Sequence, residues 1–131
     1  IKKKFVEEII KDDLKEMNGC ISNGYFKSFI VLSGSVIEAV LLDWLSEIDQ
    51  KNYFDPRERD PSLANIIQKL FQAGRLSQEG KEKADKLRNN RNIIHPRRHL
   101  ASNVAFNSDI CKELILDLKA VLAERKNKEN E

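Results

Sequence analysis

Four side chains that can act together on a phosphodiester lie within one short segment of the chain. They are Arg88, Arg91, Asn92 and His95. On an α-helix each residue advances by about 100° around the axis. The four side chains then fall within one wedge of roughly 100° at the C-terminal end of the helix. The spacing therefore predicts one polar cluster at the border of the core.

These residue types suit phosphodiester chemistry without a metal. Histidine titrates near neutrality, so His95 can accept or donate a proton, and nearby arginines favour the neutral imidazole that a general base requires. The guanidinium groups of Arg88 and Arg91 can hold phosphate oxygens and stabilise charge in a transition state. Asn92 can donate a hydrogen bond to a phosphate or orient the imidazole.

The charge that would attract a nucleic acid is local. The formal net charge of the whole chain is only +2, whereas residues 81–98 hold seven Lys or Arg against two acids. Such a local excess is typical of a surface that contacts a phosphate backbone. Lys86, Arg97 and Arg98 are therefore predicted to bind nucleic acid around the cluster.

A purely structural interpretation is also open. A helix rich in Lys and Arg is usually a solvated face, and a lone histidine before proline usually caps a helix end. On spacing alone this is the commoner case.

Apolar periodicity predicts five helices and no strand, hence an all-α, up-and-down bundle in one domain spanning residues 1–131. Gly19 is expected to end the first helix, Asp60 to cap the third with Pro61 as its first residue, Ser77 to cap the fourth, and Pro96 to stop it. The predicted helices are about Lys2 to Asn18, about Asn23 to Asp49, Pro61 to near Gly74, Ser77 to about Ile94, and a last one starting between Ser102 and Asp109 and fraying over 126–131.

The second helix is apolar almost all round, which predicts the centre of the bundle. Lys27, Glu38 and Asp43 leave no uncharged apolar run of about 18 residues, so we expect a buried helix and no membrane span. Ser33 to Ser35, around a central glycine, would let a neighbouring helix approach closely.

The two acids in that helix are assigned different roles. An unpaired carboxylate on an apolar helix is costly, so Glu38 is predicted to pair with an arginine of the Arg88–His95 helix and to support the site. A further role in tuning His95 is compatible with that pairing. Asp43 is expected to be solvated.

The remaining composition excludes several classes of site. Cys20 and Cys111 are predicted to be small buried residues in a reducing, cytoplasmic protein. His99 is the only other histidine, and no HxxE, DxD or CxxC spacing occurs, so no metal or cofactor is expected. Because the first residue is Ile, we expect a piece of a longer chain.

The segment Leu87-Arg88-x-x-Arg91-Asn92-x-x-His95-Pro96 closely resembles the signature of HEPN domains (higher eukaryotes and prokaryotes nucleotide-binding). The run Ile37–Leu42 resembles the acidic and apolar run in the family's central helix, and Leu63–Leu76 resembles the short helix before the motif helix. HEPN proteins have an Arg, a polar residue, and four to six residues before the His. Arg88-Asn89 fits that spacing with five, whereas Arg91-Asn92 has two, so both arginines remain candidates for contacting the phosphate.

The resemblance implies a two-fold homodimer in which one motif helix from each copy lines a composite cleft. It implies a metal-independent endoribonuclease in which the RNA 2′-hydroxyl attacks its own phosphodiester, with Asn89 and Glu38 supporting the site. Many such proteins act in toxin–antitoxin or other defence systems, alongside an antitoxin or a fused effector domain. Others have lost catalysis and serve as RNA-binding or interaction modules.

Overall fold

The computed structural model describes the backbone of residues 2–93 and 106–129, and the side chains of residues 7–92 and 106–128. Within these ranges the chain forms five helices and no strand, so the predicted all-α bundle is confirmed. The helices are α1 (Lys2–Asn23), α2 (Phe26–Asp49), α3 (Leu63–Gln72), α4 (Gln78–Ile93) and α5 (Ser108–Glu129).

Helix α2 is the centre of the bundle, as its composition predicts. It packs against each of the other four helices, and it contributes nine of the 21 buried apolar residues that the structure describes, including Trp44. Burying a large apolar side chain contributes about 1.5–3 kcal/mol, so this helix contributes more to the core than any other helix. It is also the one described helix whose length and composition would allow it to cross a membrane, and most of it is buried inside the bundle.

The side-chain contacts fix the helix directions. At one end of α2 the Cys111 thiol lies 3.8 Å from the Phe26 carbonyl, and further along Arg125 donates to the Val40 carbonyl over 3.1 Å. Helices α2 and α5 therefore run in the same direction. Helix α4 runs opposite to α5, because Glu124 near the end of α5 accepts a hydrogen bond from the Ser77 amide, at the start of α4, over 2.8 Å.

Alternation of helix direction is interrupted once, between α2 and α3. The start of α3, at Ser62, faces Val31 in the first half of α2, whereas Arg75, just after α3, faces Trp44 and Ile48 near the end of α2. Both helices therefore run the same way. Residues 50–62 carry the chain back along α2 before α3 begins.

The predicted end of α1 is wrong. Gly19 does not end α1, which continues to Asn23, and Gly24 has the left-handed backbone (φ 75°) that follows the helix. A glycine inside a helix costs only about 0.5–1 kcal/mol, and packing of Cys20 and Ile21 against the core outweighs that cost. At the C-terminus, the backbone of α5 is helical through Glu129, and fraying from residue 126 stays a prediction.

The start of α3 also differs from the prediction. Ser62 is the N-cap, because its hydroxyl accepts a hydrogen bond from the Asn65 amide over 3.2 Å. Leu63 is the first helical residue. Asp60 and Pro61 both precede the cap, so α3 begins two residues later than predicted. Serine is as good a cap as aspartate, which is why composition alone does not separate the two.

Three other predicted boundaries are confirmed. Gly74 follows α3 with a left-handed backbone (φ 73°). The Ser77 hydroxyl caps α4 by accepting from the Gly80 amide over 2.9 Å. Helix α5 begins at Ser108, inside the predicted window.

Helix α4 approaches α2 closely at Gly34, as the small-residue segment predicts. A Cβ atom at this position would lie 2.5 Å from Cδ of Arg91 and 2.9 Å from its Cβ. Both distances are too short for carbon atoms that are not bonded to each other. The side chain of Arg91 therefore crosses α2 where only glycine leaves room.

Gly34→Ala is expected to destabilise the protein. Overpacking costs about 1–3 kcal/mol, which exceeds the roughly 0.5–1 kcal/mol that alanine gains over glycine inside a helix. The measurement is the free energy of unfolding from urea denaturation. Gly19→Ala is the matched control: nothing lies within 4 Å of its added Cβ, so it should stabilise the protein. If both substitutions stabilised the protein equally, the Arg91 side chain would be able to move away from position 34 at no cost, and the prediction would be wrong.

Candidate functional site

The contact between α2 and α4 continues one helical turn beyond Gly34. Having crossed Gly34, the Arg91 side chain donates a hydrogen bond through Nη1 to Oε2 of Glu38. The predicted pairing of Glu38 with an arginine of the Arg88–His95 helix is therefore confirmed. Both side chains are more than one third exposed, 39% for Arg91 and 35% for Glu38, and such pairs typically contribute less than about 1 kcal/mol. The pair therefore orients Arg91 more than it stabilises the fold.

Three of the four residues predicted to do chemistry line one cleft. Arg88, Arg91 and Asn92 form its α4 wall, Val31 contributes from α2, and residues 62–64 close it at the start of α3. The cleft has a volume of about 410 Å³, which is within the range of small-molecule sites. The arrangement therefore brings two guanidinium groups and a carboxamide to a space that a phosphate could enter.

The α3 wall of the cleft is also favourable to an anion. The amides of Leu63 and Ala64, in the first turn of α3, have no hydrogen-bond acceptor in the described part of the chain. Helix N-termini carry unsatisfied amides and a partial positive charge, which together favour anions. The sequence analysis missed this wall. The signal was available: a loop of five residues joins α3 to α4, so an antiparallel pair would place the start of α3 beside the end of α4.

Arg88 and Asn92 are less engaged than Arg91. The Nε atom of Arg88 is shielded from solvent and makes no hydrogen bond within the described ranges. Its nearest carboxylate oxygen, on Asp85, is 3.6 Å away, beyond hydrogen-bond reach. The Asn92 amide likewise makes no hydrogen bond with any described residue. Neither group would lose a hydrogen bond to a described residue on binding a ligand.

Asn89 is exposed and is not among the residues that line the cleft. Its predicted supporting role finds no contact within the described residues. The neighbouring Asn90 bonds within its own helix, donating to the Lys86 carbonyl over 2.8 Å. The polar face that reaches the cleft is thus narrower than the sequence suggests.

The side chain of Lys86 extends from α4 towards α5 and does not line the cleft. Its amine pairs with Glu113 and lies 3.2 Å from Asp117, whose side chain is 10% exposed. Burial lowers the pKa of Lys86, but the hydrogen bond to Glu113 and the nearby negative charge of Asp117 more than offset this, and the net shift is upward. The structure thus gives Lys86, predicted to bind nucleic acid, two partners within the protein.

The prediction that Asp43 is solvated is wrong. Arg125, which is 13% exposed, donates to Oδ2 of Asp43 over 2.7 Å and to Glu47 over 3.2 Å. Because α2 and α5 run in the same direction, the end of α5 places a cation beside this carboxylate. The pairing could not be read from α2 alone.

The other predicted site residues are His95, Arg97 and Arg98. They lie outside the described residues, as does the predicted helix stop at Pro96. Among the residues that are described, no three His, Cys, Asp or Glu side chains are placed to hold a metal ion. Of the cysteines, Cys111 is buried and Cys20 partly buried, and both are free thiols.

Comparisons with protein-family models, curated proteins and solved structures yield no match. The interpretation of the cleft therefore depends on its own geometry and on the resemblance of its sequence motif.

Lys86→Met is expected to lower the melting temperature, because the nearly buried Asp117 carboxylate would lose its cation, at a cost of about 1–3 kcal/mol. Lys83→Met is the control, since the ion pair between Lys83 and Glu79 is more exposed. The melting temperature is measured by thermal unfolding, and the affinity for RNA, which should not change, is measured by fluorescence anisotropy. Weaker RNA binding at unchanged stability would instead show that Lys86 contacts the ligand.

Proposed function

We propose that this chain is a HEPN-type, metal-independent endoribonuclease domain that works as a cytoplasmic homodimer in a toxin–antitoxin or other defence system. The observation that carries the proposal is the cleft shared by Arg88, Arg91 and Asn92. These residues belong to the motif that resembles HEPN domains, and they face the amides at the start of α3. The chemistry of the cleft walls suits a phosphate.

In this function the 2′-oxygen of an RNA ribose forms a bond to the adjacent phosphorus, and the bond from phosphorus to the 5′-oxygen breaks. The products are a 2′,3′-cyclic phosphate and a 5′-hydroxyl. His95 takes the proton from the 2′-hydroxyl or gives one to the leaving oxygen. Guanidinium groups stabilise the pentacoordinate phosphate, whose negative charge increases during the attack. Asn92 holds a phosphate oxygen or orients the imidazole.

The homodimer is proposed because a single copy presents its site at an open surface. Val31 is an apolar residue that is 40% exposed beside the cleft. A second copy placed by a two-fold axis would cover such a residue and double the local positive charge. Arg97 and Arg98 extend the RNA-binding surface in this arrangement, and an antitoxin or a fused effector domain is its natural partner.

A second function is favoured by the ionic partners of the arginines. Glu38 pairs with Arg91, and Asp85 lies near Arg88, so each guanidinium already has an acidic neighbour. This local neutralisation suits a non-catalytic HEPN-like module that binds RNA or another protein without turnover.

Cleavage of a structured RNA by the purified protein in excess EDTA tests the proposal. We expect products ending in a 2′,3′-cyclic phosphate, detected by mass spectrometry. His95→Ala should slow cleavage by about 10²–10⁴-fold, the usual effect of losing a general acid or base. Lys83→Ala serves as the control and should cleave at the native rate, because Lys83 pairs with Glu79 on its own helix and does not line the cleft.

Two outcomes would contradict the nuclease. Full activity of His95→Ala would remove the imidazole from the mechanism. RNA binding without any cleavage, by the native protein under conditions where it is dimeric, would favour the non-catalytic module.

A further inference from the structure

We infer that the two arginines of the cleft have different tasks: Arg88 binds the phosphate, and Arg91 is a positioning residue that fixes the end of α4 on α2. Calling that phosphate an RNA phosphate rests on the proposed function. The division of tasks itself rests on the surroundings of the two side chains.

Arg91 is held along its whole length. Its Cβ, Cγ and Cδ atoms lie against Gly34, so closely that a single added carbon there would collide with all three. Its guanidinium bonds to Glu38. A phosphate that took Arg91 as its main ligand would have to draw it from this carboxylate, and would also bring a second negative charge close to Glu38. The geometry therefore favours Arg91 as a fixed link between α2 and α4.

Arg88 has the opposite character. Its Nε donor is shielded from water and has no hydrogen-bond acceptor in the described structure. The rest of the guanidinium makes no hydrogen bond with a described residue, and the side chain is 29% exposed and lines the cleft, so a ligand oxygen can approach its outer nitrogens. Its neighbour Asp85 is shared with Lys81, 3.3 Å away, so this carboxylate is drawn towards another cation. Arg88 can therefore add a phosphate without giving up a hydrogen bond to any described residue.

The rest of the cleft supplies further donors for the same phosphate. Leu63 and Ala64 contribute amides of α3 that have no acceptor among the described residues, and Asn92 contributes a carboxamide on the α4 wall. A guanidinium, a carboxamide and helix-terminal amides are all groups that hydrogen-bond to phosphate. Arg88 is thus the charged member of a larger set of donors around the cleft.

The first test uses the NMR signals of the arginine Nε–H groups in the full chain, titrated with inorganic phosphate. The Arg88→Lys and Arg91→Lys variants assign the signals by removing one each. We expect the Arg88 signal to shift saturably with phosphate, and the Arg91 signal to move much less because its side chain remains with Glu38. The opposite pattern, with only the Arg91 signal shifting, would overturn the assignment.

The second test compares four variants by phosphate affinity and melting temperature. Arg88→Met should weaken phosphate binding by about tenfold or more, the usual effect of losing a charge-assisted hydrogen bond, at unchanged stability. Arg91→Met and Glu38→Gln should lower the melting temperature by only a few degrees, because the pair is partly exposed, while changing phosphate affinity less than about threefold. Arg91→Lys keeps a cation for Glu38 and should restore the melting temperature.

Rescue by Arg91→Lys separates positioning from bulk packing, because Arg91→Met retains an apolar stem over Gly34 but not the charge. Glu38→Gln and Arg91→Lys keep the test decisive if Arg91→Met does not fold. The inference fails if Arg91→Lys binds phosphate as weakly as Arg88→Met does, or if Arg88→Met binds phosphate normally.

The failure of this inference and the failure of the nuclease proposal are distinguishable. Phosphate binding requires no turnover, so a protein that never cleaves RNA can still show the Arg88 pattern. Conversely, an active ribonuclease whose phosphate affinity depends on Arg91 and not on Arg88 would refute the division of tasks alone.

Discussion

The close approach of α4 to α2 at Gly34 is the constraint on which the rest of the site depends. Because α2 has no side chain at this point, Arg91 can cross it and reach Glu38 one turn further on. A larger residue at position 34 would push α4 outwards and widen the cleft that Arg88 and Asn92 line. The position of α4 at the site therefore depends on the glycine in the central helix. The ion pair between Arg91 and Glu38 then fixes the direction of the Arg91 side chain.

The path of the chain between α2 and α3 supplies the other wall. Helix α2 rises roughly 27 Å between Val31 and Asp49 at 1.5 Å per residue. Residues 50–62 can span such a distance, because an extended chain covers about 3.3 Å per residue. By returning along α2 before α3 starts, this segment brings a helix N-terminus to the cleft. A short loop would have placed that end of α3 at the far side of the bundle.

Local patterns predicted the elements of this fold well, and contacts between elements less well. The apolar stripe of α2, the Ser77 cap and the pairing of Glu38 follow from composition, because an apolar helix must be central and an acid on it must find a cation. The choice of Ser62 over Asp60 as a cap was not predictable, since both are good caps. The pairing of Asp43 with Arg125, and the α3 wall, depend on helix directions that no single segment encodes. The helical spacing predicted that Arg88, Arg91 and Asn92 share one face. It did not predict the difference between their surroundings.

Helix α4 is held at both ends by acids from different neighbours. Glu124 of α5 accepts from the Ser77 amide at its start, and Glu38 of α2 binds Arg91 near its end. Helix ends normally fray, and they open locally more easily than helix middles do. Fastening the end that carries the cleft residues limits this motion, so less conformational entropy is lost when a ligand binds there. In this molecule a helix terminus, usually the least ordered part of its element, is instead linked by an ion pair to the central helix.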